Sequence, residues 1–263
     1  MCRTLATLLI AAAAGSAPAA AAAAAPPSGS LTVAAAANLK LAMEELRSAF
    51  EAARPGTHVV VTTGASGAFF AQIRNGAPFD LFFSADREHP RKLVEAGLAD
   101  REVVYALGKL VVWTPRGSPV DLARGGLRAL ADPALKKIAI ANPALAPYGR
   151  AALAALESEG VLAAVRDRLV FGESVSQAAG FAQSGAADAA VLPASLALSP
   201  ALAAGNVTPV PPGAYPPIEQ SAVVLAGARE PALARAFLDF VAGPAGGAIL
   251  LRHGYGLPPR EPR

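Results

Sequence analysis

The order of local patterns constrains this chain more than any single motif. From residue 31 onward, short runs rich in β-branched and apolar residues alternate with longer segments whose apolar positions recur at helical spacing. "LTV" (31–33) precedes "NLKLAMEELRSAF", where Leu39, Ala42, Met43, Leu46, Ala49 and Phe50 share one helix face and Lys40, Glu44, Arg47 and Glu51 lie outside it. Asn38 stands where an N-cap belongs. "HVVVTT" (58–63) leads through a Gly-Ala-Ser-Gly corner into a helix that stops near Asn75-Gly76. "FDLFFSA" (79–85) leads into a short helix that Asp86 caps and Gly97 closes. "GKLVVWTP" (108–115), "KKIAIANP" (136–143), "RLVFGES" (168–174), "ADAAVLP" (187–193) and "SAVVLAG" (221–227) read as further strands. Helices are predicted over 148–160, over "VSQAAGFAQSG", and as a C-terminal pair around Gly243-Pro244. Such alternation dictates an α/β architecture with largely parallel sheets.

A chain of 263 residues is long enough for one large domain or two of moderate size. The layout points to two lobes: lobe one over 30–112 and again over 219–263, lobe two over 113–218, with "LVVW" and "AVVL" as the two crossing strands. No internal repeat stands out. Residues 1–25 read as a secretory signal: Arg3, the apolar stretch Leu5 to Ala14, then Gly15, Ser16, Pro18 and alanines offering small-x-small cleavage sites. The apolar stretch breaks well short of the roughly 20 residues needed to span a bilayer. "APPSGS", Ala25 to Ser30, is a linker. Cys2, the single cysteine, falls inside the signal, so the mature chain is expected to have no disulfide, thiolate metal site, Cys nucleophile or lipid-bearing cysteine. Removing the signal takes Arg3 from a formal charge of +3. The remaining balance is too weak for nucleic acid, and no Lys/Arg stripe interleaves with aromatics. A soluble, exported, periplasmic product is expected.

Four strand-to-helix corners share one composition: "AAAAN" (34–38), "GASG" (64–67), "NPALAPYG" (142–149) and "GESVS" (172–176). In open α/β sheets ligands sit beyond the carboxyl ends of strands. A helix start offers unpaired N–H donors and partial positive charge, which together hold an anion without a cationic side chain. Any one corner is ordinary helix-start chemistry. Four of them, two from each lobe, can face one another across a cleft. "AAAAN", "GASG" and "GESVS" contain no His, Lys or Arg; Arg150 lies just inside the third helix, and Glu173 is the one nearby carboxylate. A protonated phosphate wants an acceptor for its own hydrogen, so this composition leans toward an oxyanion without a proton at pH 7. Burying such a dianion requires several fixed donors.

Catalysis finds little support. His58, His89 and His253 are far apart and form no HExxH or Cys/His cluster. Asp80 and Asp86 could be imagined as an acid/base pair, but both fit better as strand-end and cap residues. A hydrolase using Ser66 as nucleophile is the enzyme alternative, although no G-x-S-x-G elbow surrounds that serine and no base is identifiable.

"TVAAAANLKLAMEEL", "GASGAFFAQIRNGAPFDLFFSAD", "NPALAPYGRAAL" and "GESVSQAAGFAQSGAADAAVLPASLAL" resemble the molybdate-binding proteins of bacterial ABC importers, with "GAPFDLFFSAD" the most distinctive match. The resemblance runs from about 31 to 255. It implies a two-lobed periplasmic binding protein fold of the type with two crossover strands. Such a protein, a monomer, closes around molybdate or tungstate and hands it to a membrane permease. It needs no cofactor, and no side chain ligates the metal, which arrives as its oxyanion. Carried over corner by corner, the resemblance implies contacts from the amide of Ala37 or Asn38, the Asn38 side-chain amide in place of the family's serine, the Ser66 hydroxyl and N–H, the Tyr148 N–H and the Val175 N–H. A tyrosine common near the equivalent of Leu192-Pro193-Ala194-Ser195 is missing here, which makes the Tyr148 phenol a candidate for its part. Sulfate, thiosulfate, phosphate or a small organic anion are the alternative ligands, and cavity size is what would separate them.

Overall fold

The computed structural model describes residues 29–259; the segment read as a signal, with Cys2, lies outside them. The first lobe is laid down by β1 (Gly29–Ala36), α1 (Lys40–Ala53), β2 (Thr57–Gly64), α2 (Ser66–Arg74), β3 (Leu81–Phe83), α3 (Glu88–Glu95) and β4 (Val103–Gly108). The second follows with β5 (Leu110–Thr114), α4 (Leu122–Gly125), β6 (Ile138–Ala141), α5 (Pro147–Ser158), α6 (Leu162–Val165), β7 (Leu169–Gly172), α7 (Val175–Gln183), β8 (Ala189–Pro193), α8 (Ala194–Ala197) and β9 (Asn206–Pro209). The chain then returns to the first lobe as β10 (Ile218–Val224), α9 (Pro231–Ala242) and α10 (Pro244–Arg252).

The two sheets have the orders β2-β1-β3-β10-β4 and β7-β6-β8-β5-β9. In each, the first three strands pair in parallel and the last two pair antiparallel. The lobes thus share one topology although their sequences show no repeat. The run expected as one strand over 108–115 is split: β4 ends at Gly108, β5 begins at Leu110, and the chain changes sheets at Lys109. "LVVW" accordingly lies within the second sheet and "AVVL" largely within the first, with the return crossing through 210–217.

Each sheet carries its own core. In the first, the α1 face of Ala42, Met43, Leu46 and Phe50 is buried as its spacing predicts, and Phe50 meets Phe237 of α9 edge-on at 4.9 Å. In the second, α5 lies directly on β6: a Cβ at Gly149 would stand 2.2 Å from the Ala141 carbonyl oxygen, so only glycine permits the approach.

Asp80, at the start of β3, is a structural carboxylate. It accepts hydrogen bonds from the Thr32 amide (2.6 Å), the Thr32 hydroxyl (2.8 Å) and the Arg229 amide (2.8 Å), tying β1 to the segment after β10. Burial by itself would raise this carboxyl, but the bonds from Thr32 and Arg229 outweigh it and hold it below the ordinary value of 3.8. A carboxyl depressed by folding contributes stability that is present above the unfolded value and lost as pH falls through the folded one. Asp80→Asn should therefore cost about 1–3 kcal/mol at pH 7, and the gap should shrink on acidification below pH 4. Urea unfolding at pH 7 and pH 3 checks this; a gap that stays constant contradicts it.

Candidate functional site

The carboxyl ends of the parallel strands in both sheets point at one small cavity between the lobes, about 10 Å³ in volume. A space of that order admits a water molecule or a compact ion, not a sugar or an amino acid. The first lobe lines it with Ala36, Ala37, Asn38, Gly64, Ala65, Ser66 and Ala85, and the second with Ala146, Pro147, Tyr148 and Val175. All five residues singled out from the sequence (Ala37, Asn38, Ser66, Tyr148 and Val175) meet there. None of the lining residues is charged.

Each corner presents its donors differently. β1 runs into a 3₁₀ turn over Ala37–Leu39, which puts the amides of Ala37 and Asn38 at an open helix start. Ser66 is the first residue of α2, and its hydroxyl accepts from the Ala85 amide at 3.0 Å, which leaves its own hydrogen free to donate. That partner is a backbone amide and not a base. Pro147 opens α5 without an N–H, so Tyr148 is the first donor of that helix. Val175 opens α7 behind Ser174, whose side chain caps the Gln177 amide. The nearby charges are spent elsewhere. Glu173 is exposed, and Asp86 pairs with Arg150 at 2.6 Å and with His89 at 2.8 Å. Burial would raise Asp86, but the bonds from His89 and Ser84 prevail and keep it below the usual carboxylate range.

The lobes are closed on one another. The Gly67 amide donates to the Leu145 carbonyl at 3.0 Å, the Ser176 hydroxyl to the Ala37 carbonyl at 3.3 Å, and the Ser195 hydroxyl to the Asn38 carbonyl at 2.9 Å. A Cβ on Gly67 would come within 3.0 Å of the Leu145 oxygen, so the missing side chain is what lets the second corner reach across. A groove of about 460 Å³ adjoins the cavity and shares Ala85 and Pro147 with it. Arg87 and Arg91 line that groove, and both are paired with Glu102.

One sequence expectation needs correction. Asn38 is not an N-cap: no side-chain bond caps α1, and the Asn38 amide nitrogen instead donates to Gln220 Oε1 (2.8 Å) and Tyr255 Oη (2.9 Å). The reason is the 3₁₀ turn, which carries Asn38 inward until it is 1% exposed. The Tyr148 phenol, the candidate for the missing strand tyrosine's part, has a partner outside the anion-facing corners. It leans toward the crossover strands, takes a hydrogen bond from Gln220 Nε2 at 2.9 Å, and lies over Gly108. Burial pushes this phenol well above its ordinary value, so it stays a neutral hydroxyl. Sequence reasoning missed Gln220, Tyr105, Tyr255 and Ser195. Their one available signal was a glutamine inside a strand run otherwise rich in apolar residues.

A family model for bacterial extracellular solute-binding proteins matches residues 31–256. The molybdate-binding protein ModA of Azotobacter vinelandii is 37% identical over 86% of this chain and 89% of that protein. ModA of Rhodobacter capsulatus is 38% identical over 84% of this chain and 86% of its own length. The chain belongs to the ModA family. The likeness to ModA extends to coordinates: the periplasmic molybdate-binding protein of A. vinelandii matches with a TM-score of 0.80 at 36% identity, covering 87% of this chain and 100% of that one. The two-lobed α/β fold expected from the alternation of patterns is the fold of these ModA relatives. The sulfate-binding protein SubI from Mycobacterium tuberculosis shares it too, with a TM-score of 0.69 at 19% identity over 86% of each chain. The ModA architecture does not by itself choose the anion.

Proposed function

We propose that this protein captures molybdate or tungstate in the interlobe cavity, in the periplasm, and delivers it as a monomer to an ABC permease. One observation carries the reading: neutral donors from four helix starts, two per lobe, surround a small cavity whose lining holds no charge. Such a site suits a bare tetrahedral dianion, because hydrogen bonds alone must satisfy its oxygens. Ala37, Asn38 and Ser66 supply the first lobe's donors, and the amides of Tyr148 and Val175 the second's. The protein binds and releases its ligand without chemical change; Ser66, with a backbone amide for a partner, is a donor and not a nucleophile.

Function and motion are linked in this reading. The division into lobes follows the sheets, and the lobes part by bending at Lys109 and through 210–217. The anion meets one set of donors first, closure adds the other, and the permease reads the closed form.

Ligands that bind only the folded state raise its stability by mass action, by about 2.7 kcal/mol at a hundredfold excess over Kd. For a chain of this size that is a rise in Tm of about 5–11 °C. Thermal unfolding of the protein with molybdate or tungstate should show such a rise, with little effect from phosphate and an intermediate or absent one from sulfate. Equal shifts with all four would remove the selectivity, and a shift with sulfate alone would reassign the ligand.

A further inference from the structure

Behind the cavity lies a buried polar cluster that the binding reading leaves unused. Gln220 of β10 is wholly buried. Its Oε1 accepts from Asn38 Nδ2 at 2.8 Å and from the Tyr105 hydroxyl at 3.0 Å, and its Nε2 donates to Tyr148 Oη at 2.9 Å. The glutamine thereby joins a residue of the second lobe to the first-lobe residue that lines the cavity. The arrangement leaves a defect. Asn38 Oδ1 is buried with no hydrogen-bond partner among the described residues. The Tyr105 hydrogen is divided between Gln220 and the Ser84 carbonyl at 3.0 Å.

A carboxamide keeps its shape when its oxygen and nitrogen are exchanged, and the surrounding network decides between the two orientations. Exchanging both Asn38 and Gln220, without moving a heavy atom, relieves Tyr105 and turns the unpartnered Asn38 atom from an acceptor into a donor, while the divided hydrogen passes to Tyr255. Gln220 Nε2 then donates to Asn38 Oδ1 and Tyr105 Oη, and Gln220 Oε1 accepts from the Tyr148 hydroxyl. Tyr105 gives its hydrogen wholly to Ser84. Tyr255 then shares its one hydrogen between Asn38 Oδ1 at 2.9 Å and the Asn38 carbonyl at 2.7 Å, and that carbonyl keeps the Ser195 hydroxyl at 2.9 Å. The phenols of Tyr105, Tyr148 and Tyr255 are all pushed up by burial, so each remains a neutral hydroxyl able to take its part. The exchange also reverses what Asn38 offers on its free side. An inward oxygen is an acceptor, which suits an anion that carries a proton, such as hydrogen phosphate. An inward nitrogen is a donor, which suits a bare oxyanion.

We infer that Gln220 is a positioning residue that selects for unprotonated oxyanions: held by the Tyr148 hydroxyl of the second lobe, it donates to Asn38 Oδ1 and so turns the Asn38 amide hydrogens toward the anion. This rests on the molybdate reading above and adds a link between the lobes. Tyr148 belongs to the second lobe and Gln220 to the first, so the selecting orientation rests on a contact made across the lobes.

Two measurements test it. In the unmodified protein saturated with molybdate, nuclear Overhauser contacts from the Gln220 side-chain amide protons should reach the Tyr105 ring and not the Tyr148 ring; contacts to Tyr148 instead overturn the inference. In calorimetric titrations, Gln220→Met should weaken molybdate binding about tenfold, the loss of one modest hydrogen bond to the anion. In an Asn38→Ala background the same substitution should cost nothing further, because Gln220 acts through Asn38. Equal losses in both backgrounds would mean a merely structural role and overturn the inference while leaving the anion reading intact. Should the unmodified protein bind neither molybdate nor tungstate, both fall together.

Discussion

Ser66→Asp is expected to abolish the response to molybdate and tungstate while leaving the empty protein folded. Ser66 opens α2, is 1% exposed, and accepts from the Ala85 amide. An aspartate there retains the acceptor, and a carboxylate at a helix start gains about 0.3–1 kcal/mol from the unpaired amides. For the ligand the outcome is the reverse. A unit charge pair about 4 Å apart in a protein-like dielectric interacts by about 4 kcal/mol, so one carboxylate against a dianion costs about 8 kcal/mol, on the order of a millionfold in affinity. The lining supplies no cation to offset it. The contrast with Ser66→Ala separates charge from donor loss: removing one hydroxyl should cost only about 1–3 kcal/mol. Titration calorimetry and thermal unfolding check both variants. A thermal shift with molybdate that survives Ser66→Asp would place the anion somewhere other than this cavity.

The contrast between what local pattern reveals and what it hides runs through the whole molecule. The α1 face, the glycines that end α2, α3 and α5 in left-handed conformations at Gly76, Gly97 and Gly160, and the C-terminal helix pair follow from neighbours a few residues apart. The four strand-to-helix corners are local too, and such corners collect at one end of an α/β sheet, but the choice of Ala37, Asn38, Ser66, Tyr148 and Val175 within them is what the resemblance to the molybdate-binding proteins implies. β4 escaped: only its last residue, Gly108, falls in the run read as a strand over 108–115, and Lys109 alone separates it from β5. β9 escaped because its four residues form an edge strand with little burial to mark it. Asp86 shows both sides at once. Its bond to the His89 amide at 3.2 Å is the local cap its position implied, whereas its pairing with Arg150 spans 64 residues and two lobes. Asn38 failed as a cap for the same reason: its partners Gln220 and Tyr255 lie 182 and 217 residues away, beyond the reach of any periodicity.

Backbone donors resist ordinary mutagenesis, but the first turn of a helix offers an exception, and Val175→Pro should use it. Val175 occupies the first position of α7, where proline fits and where the lost N–H has no partner within the helix. The residue before a proline must be extended, and Ser174 already is, at φ −137° and ψ 167°. The cap from Ser174 to the Gln177 amide at 3.3 Å is untouched. α5 demonstrates the tolerance, since it begins with Pro147 and hands its first donor role to Tyr148. The substitution therefore removes one N–H from the second lobe's share of the cavity and little else. A hydrogen bond to a charged acceptor is worth about 1.5–3 kcal/mol, and the anion oxygen left behind stays buried, so affinity for molybdate should fall by about 100-fold. Val175→Ala trims the side chain but keeps the amide, and its affinity should stay close to that of the parent. The melting temperatures of both empty variants should lie within a few degrees of one another. If proline and alanine bind molybdate alike, the Val175 amide does not face the anion, and the second lobe would have to hold it through Tyr148 alone.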